Sequence, residues 1–127
     1  MRILIADDHI EVRSAVHLML EHTHPEWHVD EASKVSEINY LLQNTCPDIL
    51  LLDWELPGLG DHGKNPSQHR KAMQLFEGLC PNTVVIALSA APGSKSRAMD
   101  VGVKGFVCKS DPPETLLKVI DEIHLTV

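Results

Sequence analysis

The chain has 127 residues, enough for one domain that buries a single sizeable core without staples. Eighteen acidic against eleven basic residues leave a formal charge of −7, the wrong sign for gripping a phosphate backbone, which argues against direct nucleic-acid binding by this chain. Cys46, Cys80 and Cys108 are odd in number and lack C-x-x-C spacing, so neither a disulfide framework nor a zinc site is expected; no apolar run is long enough for a secretion signal or a bilayer span. The expectation is a cytoplasmic protein with no membrane contact.

In chain order, the first short apolar run covers residues 3–6 and reads as a strand. Val12, Val16 and Met19 then follow at helical spacing. A weaker, half-buried strand is expected at 27–32, followed by a helix carrying Val35, Ile38 and Leu42. The run at 49–52 is the third strand, and Ala72, Leu75, Phe76 and Leu79 mark the third helix. Strands at 84–88 and 106–108 precede helices marked by Ala98 with Val101 and by Leu116, Ile120 and Ile123. Asp8 with Glu11 and Asp111 with Glu114 have capping-box spacing, Pro112 suits a first helical position, and Gly102 suits a helix stop. Five strand-helix units imply parallel strands joined by right-handed crossovers, with helices on both faces. The expected architecture is a doubly wound α/β sandwich occupying residues 1–127 as a single domain.

In such sheets ligands bind beyond the carboxyl ends of the strands, so the residues following each apolar run carry the chemistry. The first strand ends on Asp7 and Asp8, the third on Asp53, the fourth on Ser89 and the fifth on Lys109. The second offers only Glu31 and Ala32, as an edge strand away from the site would. Carboxylates gathered at one end of a sheet repel one another unless a cation shares them. Hard oxygen ligands with few protein contacts suit magnesium better than a calcium cage. A lysine and a hydroxyl beside them suit an arriving phosphoryl group, and Asp53 as nucleophile would yield an aspartyl phosphate.

With Asp7-Asp8, Asp53, "LPG" at 56–58, "SA" at 89–90 and "GFVCKS" at 105–110, the whole chain resembles the receiver domains of two-component response regulators. The resemblance implies a flavodoxin-like (βα)5 sandwich with strand order 2-1-3-4-5. It implies that Asp53 accepts a phosphoryl group from a sensor histidine kinase or histidine phosphotransfer protein and stays reachable from solvent. Asp7, Asp8, the Asp53 side chain and the Glu55 backbone carbonyl would hold Mg2+. Lys109 and Ser89 would contact the phosphoryl group, while the small Ala90 leaves the approach open. Ser89 and Phe106 would form the switch that alters the face of helix four, strand five and helix five, with homodimerisation on phosphorylation as an accompanying expectation. Phe106 lacks the hydroxyl of the commoner tyrosine, so the switch would work by packing. Lys109 is followed by Ser110 rather than proline, which removes the usual reason for a cis peptide. The "KS" ending and the "DPPETLLKVI" after it look most like receivers joined to a helix-turn-helix DNA-binding domain, so transcriptional output through a domain absent from this chain is expected.

Several other readings compete. Asp8 alone could be an N-cap, Asp53 alone a turn former and Phe106 a core filler. A stand-alone or phosphorylation-independent receiver-like interaction module is the alternative to the phosphoacceptor. Gly58, Gly60 and Gly63 spell a dinucleotide fingerprint, but Asp53 and Pro57 separate them from the strand end and Pro66 follows, against the pattern a pyrophosphate loop requires. His22, His24 and His28 lack a cysteine partner and read as solvated loop residues. Asp53-Trp54-Glu55 is similar to the D-x-D of aspartyl-phosphate hydrolases, whose nucleophile follows the first strand rather than the third. Residues 59–66 form a long loop whose first glycines read as flexible. That loop and Glu55, two residues past the acceptor, are the places expected to alter partner choice or phosphoryl lifetime.

Overall fold

The computed structural model describes residues 1–59 and 66–126. Its elements run β1 (Arg2–Ala6), α1 (Ile10–Thr23), β2 (His28–Ala32), α2 (Val35–Asn44), β3 (Ile49–Asp53), α3 (Pro66–Leu79) and β4 (Val84–Ser89). A 3-10 turn (Pro92–Ser94) then leads into α4 (Lys95–Asp100), β5 (Gly105–Cys108) and α5 (Pro113–Thr126). The sheet is parallel with order β2-β1-β3-β4-β5, as expected for the flavodoxin-like arrangement. β3 lies at its centre and is buried along its full length, whereas β2 at the edge exposes His28 and Glu31.

Strand alternation divides the core into two layers. Leu4, Ala6, Leu50, Leu52, Val85 and Ala87 pack against Ile38, Leu42, Met73 and Phe76 of α2 and α3. Ile3, Ile5, Leu51, Ile86, Leu88 and Val107 face Leu20 of α1 and Leu116 and Ile120 of α5. Both faces of a parallel sheet are thereby covered, which is why its inner strands read as unbroken apolar runs.

Local details differ from expectation. Asp8 does not cap α1: the N-cap is His9, without a side-chain hydrogen bond to the helix. The Asp7 carboxylate instead accepts the His9 N–H at 2.9 Å, so the turn is held from the strand side. Asp111 accepts the Cys108 N–H at 3.3 Å, and α5 opens on Pro113 rather than Pro112. Glu37 supplies a contact the sequence reading missed, accepting the Ser33 N–H and hydroxyl, each at 2.7 Å. Gly102, at φ 108°, follows α4 as expected.

The cysteine expectation is overturned. Cys46 and Cys80 form a disulfide across 34 positions, with Cα atoms 5.6 Å apart; Cys108 is free. The sequence separation hides the pairing because α2 and α3 lie side by side on one face, bringing the loop after one to the end of the other. Cysteine usage therefore no longer indicates a compartment. His24 is also not a solvated loop residue. It stacks on Trp27 with ring centroids 3.6 Å apart, and its Nε2 lies 3.2 Å from Asp121 of α5.

Candidate functional site

Parallel register brings the ends of adjacent strands together. Asp53 closes β3 opposite Leu88, and Ser89 closes β4 opposite Cys108. Asp7 extends β1 by donating its N–H to Ala32 at 3.0 Å, and Lys109 extends β5 by donating to the Ser89 carbonyl at 2.8 Å. Four polar residues distant in sequence thus meet at one sheet edge. Glu31 at the end of β2 stays apart, paired with Arg13 at 3.0 Å and His17 at 2.7 Å on α1.

The centre is an acid pair bridged by one cation. Asp7 and Asp53 are both 0 % exposed. Lys109 Nζ lies 2.9 Å from Asp7 Oδ2 and 3.1 Å from Asp53 Oδ1. Asp53 Oδ1 also accepts the Glu55 N–H at 3.0 Å, whereas Asp53 Oδ2 is buried without a hydrogen-bond partner among the described residues. The expectation that Asp53 is open to solvent is thus not met in this state, because the neighbouring strand ends and Lys109 enclose it.

The two acids titrate in opposite directions. Burial raises Asp53, the Asp7 charge raises it further, and Lys109 offsets only part, leaving it pushed up to about 6. Burial also acts against ionised Asp7, but Lys109 together with the His9 N–H and ring outweighs it and holds this carboxyl below the usual range. Lys109 is held above its ordinary value because its two carboxylate partners outweigh the cost of burial. One site thus holds a firmly ionised acid beside one that gives up its proton only near neutrality.

Asp7, Asp8, His9 and Asp53 each offer a ligand atom within 4.8 Å of the others, and Asp8 and His9 are exposed. Three carboxylates and an unpartnered buried oxygen fit a hard divalent cation. His9 was missed by the sequence reading; its Nδ1 lies 2.9 Å from Asp7 and 3.2 Å from Asp8. The Glu55 side chain was also underestimated, since it accepts the Ser89 hydroxyl and the Ala90 N–H, each at 2.7 Å. Ala90 is exposed, and Phe106 is half-buried against the layer that contains α2 and α3. Buried His69 on α3 donates from Nε2 to the Trp54 carbonyl at 2.8 Å and stacks on its ring, bracing the residue that follows Asp53. Its sequence signal was only a lone histidine in a helix.

The glycine-rich reading divides at the same place. Gly58 takes φ 96°, and Leu59 is 1 % exposed, inside the core beside Leu56, so the segment begins anchored rather than flexible. Gly60, Gly63 and most of the 59–66 segment lie outside the described residues.

Residues 3–121 match the response regulator receiver domain family. The chain is 28% identical over 124 residues to a nitrate/nitrite response regulator protein homolog of Haemophilus influenzae, covering 97% of this chain and 56% of that protein. The chain therefore spans about half the length of the curated relatives it matches. Among solved structures it resembles a LuxR-family two-component response regulator from Aurantimonas, with TM-score 0.79 and 27% identity over 96% of this chain and 83% of that one. It also superposes on RcsB from Salmonella enterica serovar Typhimurium, solved bound to the promoter rprA with phosphomimetic BeF3-. There the TM-score is 0.80 at 23% identity, covering 98% of both chains.

Proposed function

This chain belongs to the response regulator receiver domain family, the signalling modules of two-component systems, and from that premise we propose that it is a phosphoacceptor whose acceptor is Asp53. The observation that carries the reading is Asp53 itself. One of its oxygens is held by Lys109 and the Glu55 N–H, and the other has no hydrogen-bond partner among the described residues. Above pH about 6 that carboxylate is ionised and nucleophilic, with an ammonium already beside it.

In the proposed reaction Asp53 Oδ2 attacks phosphorus. The bond from phosphorus to the phosphohistidine nitrogen of a sensor kinase or phosphotransfer protein breaks, and the nitrogen keeps the electron pair. Lys109 neutralises charge on the phosphoryl oxygens, as transfer of this group requires. Ser89 donates a hydrogen bond to them. Asp7, Asp8, Asp53 and the Glu55 backbone carbonyl would hold Mg2+, which when bound supplies charge neutralisation for the transferring group. The small Ala90 keeps the entry unobstructed once the acceptor opens. Movement of Ser89 toward the phosphoryl group would be felt by Phe106 through packing alone, altering the α4-β5-α5 face and with it homodimerisation. By analogy with the longer relatives, the output would be transcriptional, through a domain beyond this chain.

Incubation with acetyl phosphate or a cognate kinase and Mg2+ tests the assignment. One acid-labile phosphoryl group should be added, and Asp53→Asn should abolish it. Unchanged labelling of that variant would remove Asp53 from the role. No labelling of the native chain would favour a phosphorylation-independent interaction module.

A further inference from the structure

The Glu55 carboxylate makes two short hydrogen bonds to a matched pair of donors at the end of β4. Its Oε2 accepts from Ser89 Oγ and its Oε1 from the Ala90 N–H, both at 2.7 Å. Bonds from neutral donors to an ionised acceptor are about twice as strong as those between neutral groups. The same residue donates its own N–H to Asp53 Oδ1 at 3.0 Å, so Glu55 spans from the acceptor to the neighbouring strand. Ser89 is fully buried, and its hydroxyl oxygen in turn accepts the Ala91 N–H at 2.9 Å, which holds the donor pair in place.

We propose that the Glu55 carboxylate is an internal competitor for the phosphoryl oxygens: it occupies Ser89 Oγ and the Ala90 N–H in the unphosphorylated chain and must leave them when Asp53 is phosphorylated. The inference rests on the phosphoacceptor reading and deepens it. A carboxylate and a phosphoryl group present the same kind of anionic oxygen to these donors, so either can satisfy them. Both cannot do so at once, because a phosphoryl group on Asp53 would bring further negative charge against Glu55. The chain competent to receive an anion is the fraction in which Glu55 has swung away, and apparent affinity is reduced by that fraction. Glu55 therefore sets a threshold for activation, and the Glu55 carboxylate and a phosphoryl group on Asp53 exclude one another through the donors for which they compete.

The test is a titration of the native chain, Glu55→Ala and Glu55→Gln with beryllofluoride and Mg2+, following the Ser89 and Ala90 amide resonances. Phosphoryl incorporation from acetyl phosphate is measured in parallel by mass. Both variants should bind beryllofluoride more tightly, Glu55→Ala on the order of tenfold, as expected for losing a competing charge-assisted pair. Without the anion, the Ala90 amide resonance of Glu55→Ala should already differ from that of the native chain. Glu55→Gln nearly preserves shape and removes the charge, so it keeps the test sound if the alanine variant folds poorly. Native binding with equal or weaker binding by both variants would overturn the role of Glu55 while leaving the phosphoacceptor reading intact. Absence of both anion response and labelling in the native chain would remove the phosphoacceptor reading and this inference with it.

Discussion

Burial alone would raise both Asp7 and Asp53, yet only Asp53 ends high, because Asp7 collects Lys109 and His9 while Asp53 must also face the charge of Asp7. In the absence of a divalent cation this has a signed consequence for stability. The folded Asp53 holds its proton up to about pH 6, against an ordinary value of 3.8, so the native state binds more protons than the unfolded chain between those limits. Its favourable contribution is complete below pH 3.8 and is lost as pH rises through 6. Asp53→Asn should therefore be more stable than the native chain at pH 7.5 by about 3 kcal/mol, with the gain vanishing near pH 4. Urea melts at the two pH values check this, and a gain of equal size at both would contradict it.

At the scale of elements, the position of Asp53 depends on what braces β3 and β5. α3 reaches the residue after Asp53 through His69, whose ring N–H satisfies the Trp54 carbonyl in a buried setting. His69→Ala should cost roughly 1–3 kcal/mol by leaving that carbonyl unpaired, and the loss should appear in the urea midpoint. A carbonyl rescued by water at no cost would show no such shift. On the other face, β5 meets α5 at Gly105, where a Cβ would stand 2.9 Å from Val119 Cγ1 and 3.5 Å from Ile86. Gly105→Ala should force that helix outward and cost roughly 1–3 kcal/mol, although alanine ordinarily suits a strand better than glycine. An unchanged or raised midpoint would show that the packing yields freely.

For the molecule as a whole, the acidic edge is a destabilised feature inside a well-packed sandwich. A net charge of −7 adds a general attraction for cations, but the fully buried acids at the strand ends supply the specific demand. Any ion that binds the folded site alone raises stability through mass action. Mg2+ at one hundred times its dissociation constant should add about 2.7 kcal/mol at neutral pH. Asp8→Asn should reduce the gain and Asp53→Asn nearly remove it. Thermal melts with and without Mg2+ check this, and equal gains in all three proteins would place the ion elsewhere.

The sandwich was legible because its signals are local: apolar runs of strand length, helical spacing between them, and polar residues where each run stops. The gathering of Asp7, Asp8, Asp53, Ser89 and Lys109 at one edge was legible for the same reason, since strand order carries them there once the fold is recognised. Contacts that depend on side-chain reach and on the packing of neighbouring helices were not. The Cys46–Cys80 bond, the brace of His69 beneath Trp54 and the clasp of Glu55 on Ser89 and Ala90 join positions between 15 and 35 residues apart, with no periodicity to announce them. The same limit explains Asp8, whose capping-box spacing was real, although the Asp7 carboxylate took the turn and left His9 at the helix start. Sequence by itself determined which residues end each strand, because hydrophobic pattern and backbone period are written along the chain. Only the tertiary structure decided which of those residues are sealed, paired or held apart, because burial and charge act through space.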